Sequence, residues 1–356
     1  MKLPVRVSVI IPCYNVEPYI RRGLDSIVSQ TLTEWEAILV DDGATDGTGE
    51  ICEEYAANDR RFRVVHQQNQ GPSCARNNGM KEAQGELLYF MDPDDWIEPD
   101  CFQRCYEAYQ QYGGDIIHFG FWWVYGEKKY ADGDACFRLF KGEDIFEYYT
   151  KQHAGFNQEA LNGYYKGDFI WGLKRHGQVW SYMFRREFVQ RNNLLFPPGL
   201  KMAEDAMFMV EATYRASQIV HIPDIFYHYV QRSDGLVNKK KDAEYIYEYK
   251  FRHLTERRRL REMVKEFDLH DSYLGSHILS CLQLALNTSD EWRNYKMYKQ
   301  YVTQPDVQES IRKVSLHGAP IKFAIPVYLL KMQCHFLLFT GCWLLHKTGL
   351  SNKVKM

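Results

Sequence analysis

Paired cysteines are missing from this chain. Its nine cysteines are scattered over 356 residues without a CxxC pair or even spacing, which excludes a zinc knuckle and a disulfide framework. Cys101 and Cys105, four apart, read as packing thiols on a helix. Net charge is nearly absent too: a balance of −2 gives no general affinity for nucleic acid. No glycine loop runs into GKS or GKT, and GATDGTG is not GxGxxG, so neither a P-loop nor a Rossmann dinucleotide site is supported. There is no internal repeat and no low-complexity segment. Met1 to Arg6 leads straight into an apolar strand rather than through a signal peptide, so a reducing, cytosolic location is expected.

Aromatics, by contrast, are plentiful at 15%, with 25 Tyr and 8 Trp, which suits dense packing ahead of a carbohydrate-facing surface. The length allows two domains, or one enlarged domain with an appendage. Over the first 120 residues, short β-rich apolar runs alternate with helical patterns, the mark of a mostly parallel α/β sheet with crossover helices. Strands are expected at Val7 to Ile11, Glu36 to Val40, Arg63 to Val65, Glu86 to Met91 and Asp115 to Phe119. Helices are expected at Pro18 to Ser29, Asp46 to Ala57, Ser73 to Ala83 and Pro99 to Tyr112, with Asp46 and Ser73 as N-caps. From Phe121 to Phe169 the pattern is too loose to assign. Helical periodicity returns at Gln178 to Arg191 and Ala203 to Ala216, a pair of strands follows at Ile219 to Ile222 and Ile225 to Val230, and the rest reads as helical.

Two strand ends carry acids. Val40-Asp41-Asp42-Gly43 and FMDPDDW, with Asp92, Asp94 and Asp95, each place carboxylates where an apolar run stops. Ligands of open α/β sheets bind outside the carboxyl ends of the strands, and carboxylates this close repel one another unless a cation joins them. The plainer alternatives are an Asp41-Asp42-Gly43 turn cap and a structural acidic turn at 92–95.

Taken in order, VSVIIPCYN (7–15), VDDGATDGT (40–48), NQGPSCARNNG (69–79), FMDPDDW (90–96) and AED (203–205) resemble a family 2 glycosyltransferase of GT-A fold, closely over the first 125 residues and more loosely to about Asn238. The resemblance implies a nucleotide-sugar core at residues 1–125, an acceptor and catalytic-base region at 126–238, and a helical C-terminal region at 239–356. Pro12, Tyr14 and Asn15 would flank the base, and Asp42, with Asp41 in reserve, would accept the imide N–H of uracil. Arg76 would lie near the nucleotide's phosphate or sugar. Asp94 and then Asp92 match the DxD element, implying Mn2+ or Mg2+ bridging the donor's diphosphate. Asp205 matches the base that deprotonates the acceptor in an inverting transfer, beside Glu204. That acidic pair also suits the helix macrodipole. Trp180 matches an aromatic near the acceptor, although a lone Trp is more often core, and His228 and Arg232 match a closing segment that contacts the diphosphate.

The resemblance thus implies metal-dependent transfer of one sugar from a nucleotide sugar, with UDP favoured, to a glycan in capsule, exopolysaccharide or O-antigen assembly. The absence of QxxRW and of several membrane spans argues against a processive synthase. A nucleotidyltransferase and a catalytically silent, membrane-bound glycan-binding relative are the competing readings. Basic residues outnumber acidic ones ten to five from Leu236 to Lys265, and after Glu309 seven Lys or Arg occur with no acid. The apolar tail from Phe323 to Leu345 is interrupted by Pro326, Lys331, Gln333 and His335, so it reads as an interfacial anchor on an anionic membrane, ahead of a spanning helix and of an ordinary buried or dimer-forming helix. The expected place is the inner face of the cell membrane, beside a lipid-linked acceptor.

Overall fold

The computed structural model describes residues 4–155, 157–165, 178–200, 204–232, 242–264 and 269–348. The chain divides into two compact units, Met1–Thr150 with Gly177–Asn238, and Lys151–His176 with Lys239–Met356.

The first unit is built on one sheet. Its strands are β1 (Val7–Cys13), β2 (Trp35–Asp41), β3 (Phe62–His66), β4 (Leu87–Phe90), β5 (Trp96–Ile97), β6 (Ile116–Tyr125), β7 (Lys128–Asp132), β8 (Arg138–Phe140), β9 (Tyr182–Arg185) and β10 (Ile219–Val230). They lie in the order β3-β2-β1-β4-β9-β6-β10-β5, with β7 on β6 and β8 on β10. β3, β2, β1 and β4 are mutually parallel, as are β6 and β10, and only β9 runs against its neighbours in the centre. The carboxyl ends of β1, β2, β4, β6 and β10 therefore share one edge.

Side-chain alternation explains the layers. Val7, Val9, Ile11, Cys13, Ala37 and Leu39 pack beneath α1 (Glu17–Val28), α2 (Thr48–Asn58) and α4 (Cys101–Tyr112). Ile10, Ile38 and Val40 face the other way, with Ala75 and Met80 of α3 (Pro72–Glu82) and Phe208 and Met209 of the helix Glu204–Arg215. The second unit is helical, with a core of Leu254, Ile278, Leu282, Tyr298, Val307, Val327 and Phe339.

The parallel core stands where periodicity predicts it, and four expectations change. Residues 178–191 are not one helix: β9 occupies 182–185 and a short helix, Arg186–Arg191, follows. The two strands expected around Pro223-Asp224 are a single strand, β10, whose register against β6 slips between His221 and Tyr227; proline there interrupts the ladder without reversing the chain. Ser73 is not an N-cap. Gly71 holds that position at φ +86°, and the Ser73 hydroxyl is buried without a hydrogen-bond partner among the described residues. Asp46 lies one residue before the cap of α2 and still accepts the Thr48 N–H at 3.1 Å. Ala203, the first residue of the AED motif, lies outside the described residues, as do Lys239, Lys240, Lys241, Lys265, Lys353 and Lys355.

Candidate functional site

The acids of FMDPDDW follow β4 at the shared carboxyl edge, and Arg76, from the second turn of α3, is buried beneath them. Its guanidinium donates to Asp92 Oδ1 at 2.8 Å and to Glu204 Oε1 at 2.9 Å, and lies 3.0 Å from Asp205 Oδ1. Side-chain exposure falls from 27% at Asp92 to 16% at Asp205, 10% at Glu204 and 4% at Arg76. One cation thus joins the first acid of FMDPDDW to the acidic pair that opens the helix Glu204–Arg215. Burial disfavours the Arg76 charge, but Asp205, Asp92 and Glu204 together raise its pKa above the ordinary arginine value. Burial pushes the Asp205 carboxyl well up, Arg76 pulls it back, Glu204 and Asp92 add to the rise, and the Val179 N–H opposes it. A raised pKa makes the carboxylate, once ionised, a stronger proton acceptor.

Asp94 accepts from Arg232 Nε at 3.0 Å, and its carbonyl accepts from Arg22 Nη2 at 3.2 Å. Burial raises its pKa, Asp92 adds repulsion, and Arg232 and Arg22 lower it. Asp95 turns inward instead. It accepts the Tyr227 hydroxyl at 2.5 Å and the Val230 N–H at 2.8 Å, tying the acidic turn to β10. Burial, then Asp94 and Asp92, hold Asp95 well above the usual carboxylate range.

The residues expected on the nucleotide side cluster at the ends of β1 and β2. Tyr14 is 46% exposed, and Asn15, at φ +51°, accepts the Thr45 N–H at 2.8 Å. Asp42 is 3% exposed and accepts from Gln67 Nε2 and from the backbone N–H groups of Gln70 and Gly71 at 2.7–2.8 Å. These bonds fix the loop into α3. Asp41 accepts the Ala44 N–H and pairs with His66, both at 2.9 Å.

Trp180 is 3% exposed, stacked on Tyr227 with ring centroids 4.2 Å apart and edge-on to Phe121, so it belongs to the aromatic core. His228 sits between Trp96 at 4.6 Å and Trp122 at 6.4 Å, a stack across β5, β10 and β6, with Nε2 2.7 Å from Glu98. Burial lowers its pKa and Glu98 opposes that. Arg232 covers the Tyr19 ring at 4.2 Å.

Sequence reasoning missed Arg22, 3.7 Å over the Trp96 ring, and Tyr227, whose hydroxyl accepts the Asp92 N–H while donating to Asp95. The alternation of IFYHY could have pointed Tyr227 inward; nothing in the spacing of α1 singles out Arg22.

Among the described residues no three His, Cys, Asp or Glu side chains converge as a protein-only metal cage would. Asp92 and Asp94 nevertheless suit a hard cation of the kind bound through one or two carboxylates plus substrate phosphates, since the repulsion that raises Asp94 is what such an ion relieves.

The model of the family described as "Glycosyl transferase family 2" matches residues 8–191. The uncharacterized glycosyltransferase EpsJ of Bacillus subtilis (strain 168) is 37% identical over 231 residues, covering 65% of this chain and 62% of EpsJ. A second protein of that organism, named as a glycosyltransferase, EpsH, is 30% identical over 317 residues and 86% of each chain. The fold is similar to that of residues 1–349 of S. aureus TarS, crystallised with UDP-GlcNAc, at a TM-score of 0.63 and 20% identity, covering 97% of this chain and 92% of that one.

Proposed function

The chain belongs to glycosyltransferase family 2, and from that premise we propose that it transfers a single sugar, with inversion and with a divalent metal, from a UDP-sugar to a glycan acceptor. The observation that carries the proposal is the Arg76 cluster, which gathers Asp92, Glu204 and Asp205 at the carboxyl edge of the sheet. Arg76 Nη2 holds Asp92, the acid expected on the diphosphate side, and Nη1 holds Glu204 and Asp205, which supports a single displacement with Asp205 as the base. UDP is favoured by the UDP-GlcNAc of the TarS crystals, and the exposed Tyr14 ring at the end of β1 suits a flanking base.

In this reading Pro12, Tyr14, Asn15 and Asp42 seat the nucleoside, and Arg22 and Arg232 hold the acidic turn in place. Asp94 and Asp92 would hold Mn2+ or Mg2+, which when bound supplies charge stabilisation to the departing diphosphate. Asp205 takes the acceptor hydroxyl's proton as the oxygen attacks the anomeric carbon. Arg76 keeps Asp205 ionised by its positive charge while Glu204 and burial keep it basic. Trp180 serves by packing. The acceptor region is assigned to residues 126–238 and the acceptor is a lipid-linked glycan of a cell-surface polysaccharide, met at the inner face of the membrane.

The test is release of nucleoside diphosphate from UDP-, GDP- and dTDP-sugars with Mn2+, with and without a lipid-extract acceptor. Acceptor-dependent UDP release, abolished by chelation, is expected. Pyrophosphate release from a nucleoside triphosphate would replace the reading with nucleotidyl transfer. Retained UDP binding without turnover under every acceptor would make the chain a silent relative.

A further inference from the structure

In the second unit, the helix Ile321–Lys331 carries two apolar stripes. Phe323, Val327 and Leu330 enter the core, while Ile321, Ile325, Tyr328 and Met332, at the i, i+4, i+7, i+11 spacing of a second stripe, are 55–76% exposed. Its neighbour, His335–Lys347, repeats the arrangement: Leu338, Phe339 and Cys342 are buried, and Phe336, Leu337 and Leu344 are 51–58% exposed. An ordinary surface helix shows water a polar face; these two show it leucine, isoleucine and aromatic rings, an exposed apolar surface that marks an interaction site.

We propose that these two exposed stripes dock the protein on an anionic lipid bilayer, lying in its interface. Length excludes the alternative of crossing it. The helices have 11 and 13 residues, about 16 and 20 Å of rise against a hydrocarbon core of about 30 Å. Charge selects the lipid. Lys322 and Lys347 are exposed at the ends of the stripes, each with its ammonium over a ring of its own helix, Phe323 and Trp343, so positive charge borders the apolar surface. Lys331 is anchored to the Arg312 carbonyl at 2.8 Å, and no acid occurs after Glu309. A second copy of the chain is the poorer occupant, because a two-fold contact would bring the same lysine-bordered surface of both copies together with no acid from this segment to pair with, whereas phosphate headgroups pair with Lys322 and Lys347. The proposal rests on no step of sugar transfer and would stand if the donor were misidentified.

Flotation of the full-length protein with vesicles tests it. Binding to phosphatidylcholine vesicles containing phosphatidylglycerol should exceed binding to phosphatidylcholine alone by about tenfold or more, and the excess should vanish in high salt. Ile325→Glu with Phe336→Glu should abolish binding, and Lys322→Glu with Lys347→Glu should remove only the anionic preference, with thermal melts verifying that each variant folds. A parent that fails to float with either vesicle, or apolar-face variants that bind as the parent does, would overturn the proposal. So would a dimer by light scattering that Ile325→Glu with Phe336→Glu splits while no vesicle is bound, which would assign the face to a second copy. UDP release toward a soluble acceptor, measured alongside, separates failure of docking from failure of transfer.

Discussion

Arg76 is paired with carboxylates 16 and 128 positions away in the chain, and this pairing sets the behaviour of Asp205. With Asp205 as the proposed base, active only when ionised, activity should rise as pH climbs through its raised pKa. Replacing Asp205 by Asn should lower kcat by roughly 10²- to 10⁴-fold with the donor KM little changed. Arg76→Gln should move the acidic limb of the pH–rate profile to higher pH by removing the charge that favours ionisation, and should destabilise the fold by about 3–5 kcal/mol because buried carboxylates lose their partner; Arg76→Lys, which keeps the charge, should leave the limb nearer its original place. An unmoved limb in Arg76→Gln would detach Asp205 from the base role. Asp95 gives the opposite signature. Its folded pKa is raised well above the unfolded value of about 4, so stability falls as pH climbs from there through the folded value. Denaturant midpoints should therefore shift in favour of Asp95→Asn over the parent as pH rises; a gap independent of pH would deny the raised pKa. At this scale the acids were legible in the sequence, because clustered carboxylates after an apolar run are rare without purpose. Their partners were not, because spacing records only near neighbours.

Gly79, at the end of the NQGPSCARNNG motif, illustrates how a motif mixes chemistry with packing. A Cβ built there would lie 2.4 Å from Ile10 Cγ2 and 3.2 Å from Val40 Cγ2, so this glycine brings α3 down onto β1 and β2. Gly79→Ala should cost about 1–3 kcal/mol by overpacking, read as a lower urea midpoint, and should displace Arg76 along with its helix, so that activity falls with stability. A neutral Gly79→Ala would mean that α3 has room to retreat. Apart from the two-residue β5, the elements up to Tyr112 could be read from periodicity, because β1, β2 and β4 are almost wholly buried and helices alternate with the strands. β9 could not: four residues inserted antiparallel between β4 and β6 are shorter than a helical or strand period can establish, and the adjoining helix Arg186–Arg191 lends them its pattern. β10 was misread as two strands because Pro223 and Asp224 carry the composition of a turn while the chain runs straight on.

For the whole molecule, two compact units and one proposed ligand site predict a divided response to nucleotide. A ligand that binds only the folded state stabilises it by about 2.7 kcal/mol at a hundredfold excess over Kd. The amides that gain protection are those whose opening destroys the site. With UDP and Mn2+, hydrogen exchange should slow at residues 12–15, at 67–71, where the Asp42 carboxylate holds the backbone N–H groups of Gln70 and Gly71, at 92–96, and at 227–232, where Asp95 and Tyr227 join the acidic turn to β10. Residues 270–347, which belong to the other compact unit, should exchange as they do without ligand. UDP without metal should protect 12–15 and 67–71 but leave 92–96 near its free rate, because the nucleoside and diphosphate ends of the site are held by different strand ends. Protection spread evenly across both units would mean that nucleotide binding is coupled to the helical unit. Protection absent from 67–71 would remove Asp42 and its loop from the nucleoside site, whatever the sugar assay returned.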